Sequence, residues 1–489
     1  MKQEKHYKTL FKATSLFGIV EIIRLALRVI TNSAVGYFFG PSGFGLYNLV
    51  DNTIQLISSF TNFGINFTGI REISAKKNEN PEIYRKSIVA LQQFSVLTGL
   101  FAALISIIFA NQLSLITFNS VNYFYWFLLL SIYFIANGYT QSYIIFLEGS
   151  QHINRLLQIN VVVNALSTVV ILVAFYFFHL NGIIVSIILN ALIALYIYVS
   201  FSGLPKLNVA FPFKEKKAYF KKYITSGGLL AINTFVGFLS YYLIRLYLKN
   251  ESDELLGFYG VANVILVSYL GIVFIATGKF FFPKLSSEIN SLKITNQLVN
   301  NQLELSLLII LPALLFIYTF GLFLVKILFS AAFLPVYQVL VFGLFAIVYR
   351  AFNYAVGYLI LAHQNYKHYF YINLFSDLLN VILTILFYKI WGIVGIGVSL
   401  FLNYLLSAIY IYFYSQKIYL FKLSAIVKKQ LFIVNLVLLT TILCFYVLNT
   451  KIFSIIGCVF FILSTAYSLK KIDEYLLDSK FKNKVKALF

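Results

Sequence analysis

The chain has 489 residues, of which 60% are hydrophobic and only 11% charged, with a formal net charge of +21. A soluble domain carries roughly 25% charged residues, so this chain has too few to solvate a surface, and lipid must be the solvent for much of it. The basic excess does not point to nucleic acid, because Lys and Arg lie in short segments between long apolar runs, where membrane topology alone asks for them.

In chain order, the apolar runs predict helices at 12–38, 44–68, 87–110, 122–147, 156–178, 181–202, 223–248, 255–282, 302–328, 334–361, 368–390, 392–414, 430–449 and 452–470. Runs this long must satisfy their backbone internally, so helix is the only sensible reading. The expected fold class is an all-α membrane protein of about fourteen spans. The start, Met1 to Lys12, is polar and basic, and the run after it is too long for a signal-peptide core and has no small-residue cleavage site. Cys444 and Cys458 fall inside spans and suggest neither a disulfide framework nor a zinc site.

Basic residues set the orientation. One set of segments holds the N-terminus, Arg71, Lys76, Lys77, Arg85 and Lys86, then six lysines in 203–222, then Lys417, Lys422, Lys428 and Lys429, and the tail from Lys470. The opposite set has Lys249, Lys389 and Lys451. Both termini are therefore expected in the cytoplasm, which requires an even number of spans.

The chain also repeats. Gly45 and Tyr47 recur as Gly257 and Tyr259, Gln151 and Asn160 as Gln364 and Asn373, and Gly182, Ser186 and Asn190 as Gly395, Ser399 and Asn403. Six spans separate the partners, so the copies run parallel. The expected division is a six-helix lobe at 1–212, a second at 213–425, and two further helices with a basic tail at 426–489. Two such lobes suit alternating access and are seldom needed by receptors or structural proteins.

Charges inside spans cost on the order of 3 kcal/mol each at the bilayer centre. Glu21, Arg24 and Arg28 share one face of the first span at i, i+3 and i+7, and Asn32 continues it. Asp51, Gln55, Ser58 and Asn62 make a polar stripe in the second. Either Glu21 and Arg24 neutralise each other and lock packing, or Arg24 and Arg28 present charge to an anionic substrate. Arg245, Lys279 and Arg350 are further candidates for that anion; Arg245 and Lys279 lie near span ends, where snorkelling is the alternative. Asn373 and Asp377, one turn apart, form a candidate cation or proton site; the alternative pairs Asp377 with Arg350. No GxxxxGK[ST] loop occurs, so no cofactor is expected beyond a coupling ion, sodium or proton, and no enzymatic activity.

The stretch Gly40-Pro41-Ser42-Gly43-Phe44-Gly45-Leu46-Tyr47, then Phe63-Gly64-Ile65 and Arg71-Glu72-Ile73-Ser74, resembles the N-terminal pattern of Wzx-type O-antigen flippases. These belong to the multidrug/oligosaccharidyl-lipid/polysaccharide (MOP) superfamily. The clear motif covers about residues 15–75, and the organisation extends over the first twelve spans. The resemblance implies a V-shaped pair of lobes that moves undecaprenyl-pyrophosphate-linked oligosaccharide across the bacterial inner membrane. It implies a basic cavity in which Arg24, Arg28, Arg245 and Lys279 receive the pyrophosphate. It also implies a sodium site at Asn373 and Asp377, although the seventh span offers only Asn233 where the related lipid II flippases have an acidic residue. Polysaccharide polymerase and chain-length proteins are the expected partners, beside the glycan and membrane lipids. The alternatives are a lipid II flippase, a drug or cation exporter of the same superfamily, whose cavities are acidic, and a scaffold or channel. A major-facilitator transporter is disfavoured by the loop Gly69-Ile70-Arg71-Glu72-Ile73-Ser74.

Overall fold

The computed structural model describes residues 2–77, 80–204 and 212–477, with side chains from Ile22 onward apart from a few positions that include Lys279. Every described secondary-structure element is helical. The chain falls into two compact units, Met1–Gly257 and Phe258–Phe489. In the first lie α1 (Lys2–Thr61), α2 (Ile65–Lys76), α3 (Pro81–Ile108), α4 (Ala110–Phe118), α5 (Phe124–Gly149), α6 (Ile153–Phe178), α7 (Gly182–Phe201) and α8 (Phe213–Glu251). Then come α9 (Asp253–Asn263), a π-helical turn Val264–Tyr269, α10 (Ile272–Ser287), α11 (Leu292–Phe329), α12 (Val336–Ala362), α13 (Tyr366–Trp391), α14 (Ile393–Tyr419), α15 (Ala425–Val447) and α16 (Thr450–Leu477).

Twelve helical stretches among the described residues are long and apolar enough to cross a membrane. Two of them are double. Residues 22–61 are interrupted at Gly40, whose φ of 62° and ψ of −167° are not helical. Residues 153–201 are interrupted by the 3-10 turn His179–Asn181. The stretches thus hold fourteen helices, as expected. Gly40 can take a positive φ because it has no Cβ, and Pro41 after it needs no N–H partner. Tyr196, Phe177, Phe432 and Val447 are all at least 68% exposed outside these bundles, a surface that only lipid can cover.

The structure extends several predicted helices. The last part of the 203–222 segment is not a loop: α8 starts at Phe213, so Lys214, Lys216, Lys217, Lys221 and Lys222 lie on its first turns. Likewise α11 begins ten residues before the predicted 302, and α2 and α4 run on from the predicted helix ends at 68 and 110 into predicted loops. Hydropathy finds the part of a helix that meets hydrocarbon and misses its polar extension into water.

The parallel repeat is visible in local backbone. Gln151 and Gln364 both have a positive φ, 58° and 56°. His179 and Gly392 share another uncommon conformation, φ 46°, ψ −129° and φ 57°, ψ −137°. A Cβ on Gly182 would lie 2.4 Å from the Ala174 carbonyl oxygen, and one on Gly395 would lie 1.9 Å from that of Phe387. All these partners are 213 apart in the sequence. Equal local geometry at equal offset, in the same chain direction, is what a duplicated unit requires.

Candidate functional site

The turn at Gly40-Pro41 folds α1 back on itself. Arg28 stands twelve residues before Gly40 and Asp51 eleven after it, so at about 1.5 Å per residue the two arrive at similar depth on adjacent segments. Asp51 feels the guanidinium charges of Arg245, from α8, and of Arg28. Arg28 and Asp51 also act on Tyr47, and Asp51 acts on Tyr133 of α5. Gln55 donates from Nε2 to Asp51 Oδ2 at 2.5 Å. The first unit therefore brings the guanidiniums of Arg28 and Arg245 to bear on the Asp51 carboxylate, with Arg28 and Asp51 exposed and Arg245 half-buried.

Arg24 has different surroundings. It acts, together with Glu148, on the buried hydroxyl of Tyr198, which donates to Asn160 Oδ1 at 2.8 Å. Arg24 thus acts on Tyr198, a residue of α7, and Arg28 on Asp51 and Tyr47. Glu148 went unnoticed in the sequence because it falls one residue beyond the predicted span 122–147. The side chain of Glu21, the expected partner of Arg24, lies outside the described residues.

Gln55 also opens a second feature. With Ser58, Asn62 and Asn66 it lines a pocket of about 170 Å³, closed on the other side by Thr234 and Phe238 of α8. The chain breaks beneath it, at Phe63 (φ 46°) and Gly64 (φ 73°). There a Cβ on Gly64 would lie 2.4 Å from the Gly227 carbonyl oxygen, so only glycine lets this break seat on α8.

At the end of α2, Glu72 is 4% exposed. It pairs with Lys76 at 2.7 Å and with Lys222 of α8. The Lys76 ammonium also donates to Tyr219 Oη at 2.9 Å. The sequence marked Glu72 only as part of the Arg71-Glu72-Ile73-Ser74 motif.

In the second unit Arg350 does not pair with Asp377. Its Nη1 donates to the carbonyl oxygens of Leu266 and Val267 at 2.9 and 3.3 Å, and its guanidinium lies over the Phe274 ring. Those carbonyls belong to the π-helical turn, where the regular ladder is interrupted. Arg350 thereby satisfies backbone that the turn leaves open, a purpose invisible in a hydropathy pattern. Asp377 is half-buried and acts on Tyr369, which is hydrogen-bonded to Asn373. Asn380, one turn on, is buried. A pocket of about 290 Å³ opens between α10 and α12, where Tyr354 and Tyr358 share a hydrogen bond of 2.9 Å beside Gly278. Lys279 follows Gly278, and its side chain lies outside the described residues. Among the described residues no cluster of His, Cys, Asp and Glu could hold a metal.

The family described as polysaccharide biosynthesis protein matches residues 34–338, more than half of the chain. The chain belongs to this family. No curated protein sequence matches it. Among solved structures, this member of the polysaccharide biosynthesis family is similar to the lipid II flippase MurJ in an inward closed conformation. That likeness has a TM-score of 0.73 at 15% identity and covers 94% of this chain and 99% of that one. An inward-facing multidrug resistance MATE family transporter of the MOP superfamily is similar with a TM-score of 0.67 at 13% identity, over 83% and 99% of the two chains. A MOP superfamily transporter from Pyrococcus furiosus, whose binding pocket is described as of reverse polarity, follows with 0.57 at 12%, over 83% and 95%. At such identities these likenesses establish the fold alone: an all-helical, multi-pass architecture that this chain shares with those transporters.

Proposed function

We propose that this protein is a flippase that carries an undecaprenyl-pyrophosphate-linked oligosaccharide, of the O-antigen or capsule repeat-unit kind, across the bacterial cytoplasmic membrane by alternating access. The observation that carries this reading is the Arg28–Asp51–Arg245 cluster, two guanidiniums acting on one carboxylate in membrane-spanning helices. Guanidinium groups suit pyrophosphate because their planar fork makes paired, charge-assisted hydrogen bonds. Charged side chains in membrane-spanning helices that stay accessible, as Arg28 and Asp51 do, mark a pathway more often than a packing device. Membership of a polysaccharide biosynthesis family supports a glycan substrate, and likeness to a protein named a lipid II flippase supports a lipid-linked one.

In this reading Arg28 and Arg245 grip the pyrophosphate, while Asp51 and Gln55 hold the two guanidiniums apart and in place. Arg24, with Glu21 and Glu148, adds to the basic path of the first unit; Lys279 and Arg350 are the substrate-binding candidates of the second. Asn373 and Asp377 bind the coupling cation, sodium or proton. The working parts are a lobe at 1–212, a parallel lobe at 213–425 and the added helices at 426–489, with both termini in the cytoplasm as the basic segments require. A polysaccharide polymerase and chain-length proteins would receive the product.

The test is complementation for surface polysaccharide with protein level measured in parallel. Arg28→Ala with Arg245→Ala should lower polysaccharide at least about tenfold at unchanged protein level, the loss expected on removing charged hydrogen bonds to a phosphate. Normal polysaccharide from the double variant would overturn the pyrophosphate role. The likeness to the lipid II flippase raises one second reading. Rescue of cells depleted of their own lipid II flippase, without rescue of surface polysaccharide, would select it.

A further inference from the structure

The pocket lined by Gln55, Ser58, Asn62 and Asn66 has a composition of its own. It contains side-chain amides and hydroxyls on one wall, Thr234 on the other, and no charged group. Phe67 and Phe238 add aromatic faces. Among the described residues, the side chains of Ser58, Asn62 and Asn66 make no hydrogen bond within the protein, whereas Gln55, Ser59 and Thr234 do. Three polar side chains are therefore open to a ligand that offers neutral donors and acceptors. Such a ligand also needs an apolar face to lie on an aromatic ring. A sugar ring has both, hydroxyl or acetamido groups around its edge and C–H groups on its faces.

Position and size narrow this further. Gln55 both donates to Asp51 and lines the pocket, so the pocket starts one helical turn, roughly 6 Å, from the charge cluster. At about 170 Å³ it is well below the roughly 300 Å³ at which pockets for larger ligands begin. It suits one ring and not an oligosaccharide. Its floor is fixed, because the backbone at Gly64 sits against Gly227 with no room for a Cβ on either: one on Gly227 would lie 2.5 Å from the Phe63 carbonyl oxygen.

We propose that this pocket seats the first sugar of the glycolipid, the one joined to the pyrophosphate, and that Asn62 and Asn66 read it. The proposal rests on the reading of the protein as a glycolipid flippase and adds a site of sugar recognition to it. The protein would then distinguish the constant start of the glycan and tolerate the variable remainder.

The experiment compares two probes on the purified full-length protein: undecaprenyl pyrophosphate, and undecaprenyl pyrophosphate carrying one N-acetylhexosamine. The natural chain should bind the glycosylated probe about tenfold more tightly, the discrimination that two neutral hydrogen bonds supply. Asn62→Leu with Asn66→Leu should bring the two affinities together while affinity for the bare lipid stays unchanged. Thr234→Val, a near-isosteric change in the opposite wall, should lower the preference in part, and it keeps the test open should the double variant fold poorly. A sugar preference that survives in both variants, or none in the natural chain although it binds the bare lipid, overturns this proposal and leaves the flippase reading standing. Binding of neither probe by the natural chain overturns the flippase reading, and this proposal with it.

Discussion

Gly45 and Gly257, which the sequence repeat pairs, are in contact with each other. A Cβ on Gly45 would lie 2.9 Å from the amide nitrogen of Gly257, and a Cβ on Gly257 only 1.9 Å from the carbonyl oxygen of Pro41. Both contacts are with backbone, which cannot turn aside as a side chain can. Gly257→Ala must therefore push α9 away from the Gly40-Pro41 turn, and it should cost more than Gly45→Ala. Overpacking of this kind costs about 1–3 kcal/mol. Thermal melting in detergent should show both variants less stable, Gly257→Ala the more so; equal melting of all three proteins would mean that the helices do not approach this closely.

The Glu72 cluster makes stability depend on pH. Burial works to raise the Glu72 carboxyl, but hydrogen bonds and charge from Lys222 and Lys76 outweigh it and hold the group below its ordinary 4.5. For Lys76, burial works downward and is outweighed by Glu72 and Tyr219, which hold it above 10.5. A lowered carboxyl contributes stability that is present above the unfolded value and lost as pH falls through the folded one; a raised amine contributes stability that is present below the unfolded value and lost as pH rises through the folded one. Melting temperature should therefore be level in this contribution between about pH 5 and pH 10 and fall on the acid side. Glu72→Gln should reduce that acid fall and lower the plateau by on the order of 1–3 kcal/mol, less than for a fully buried pair because Lys222 is half exposed. An unchanged acid limb in Glu72→Gln would show that other carboxylates set it.

Two asparagines of α11 hold the segment that leads into α15. Asn296 accepts from the Lys422 amide at 2.9 Å and donates to the Leu420 carbonyl oxygen at 3.4 Å. Asn300 accepts from the Ser424 amide at 2.8 Å and donates to the Lys422 carbonyl oxygen at 2.9 Å. Each side-chain amide thus stands in for a neighbouring strand. Asn300→Ala should cost about 1–3 kcal/mol by leaving backbone groups unpaired. Proteolysis at 420–424 in the folded protein should rise in step, and a variant that resists cleavage as well as the natural chain does would count against the clasp.

Asp377 is the proposed coupling group. In vesicles with a sodium or proton gradient, Asp377→Asn should lose the ion dependence of transport while keeping its fold, since the amide is nearly isosteric and carries no charge. An intramembrane acid is functional by default. Full gradient-driven transport by this variant would leave Asp377 a purely structural role beside Tyr369 and Asn373.

The solvent of this protein, its fourteen helices and its parallel duplication were legible in the chain, because each depends on residues near in sequence or at a constant offset. Even the glycines of the repeat were marked, since polar and small residues are scarce enough in such a chain to carry information. Which charges meet was not legible. Arg24 and Arg28 lie one turn apart on one face, yet one acts on Tyr198 while the other, with Arg245, acts on Asp51. That Arg350 donates to the carbonyl oxygens of the π-helical turn was likewise invisible in the sequence. Helical spacing states which residues share a face; it does not state which neighbour that face meets, or at what depth. Those depend on the crossing and register of helices far apart in the chain, so only the tertiary structure decided them.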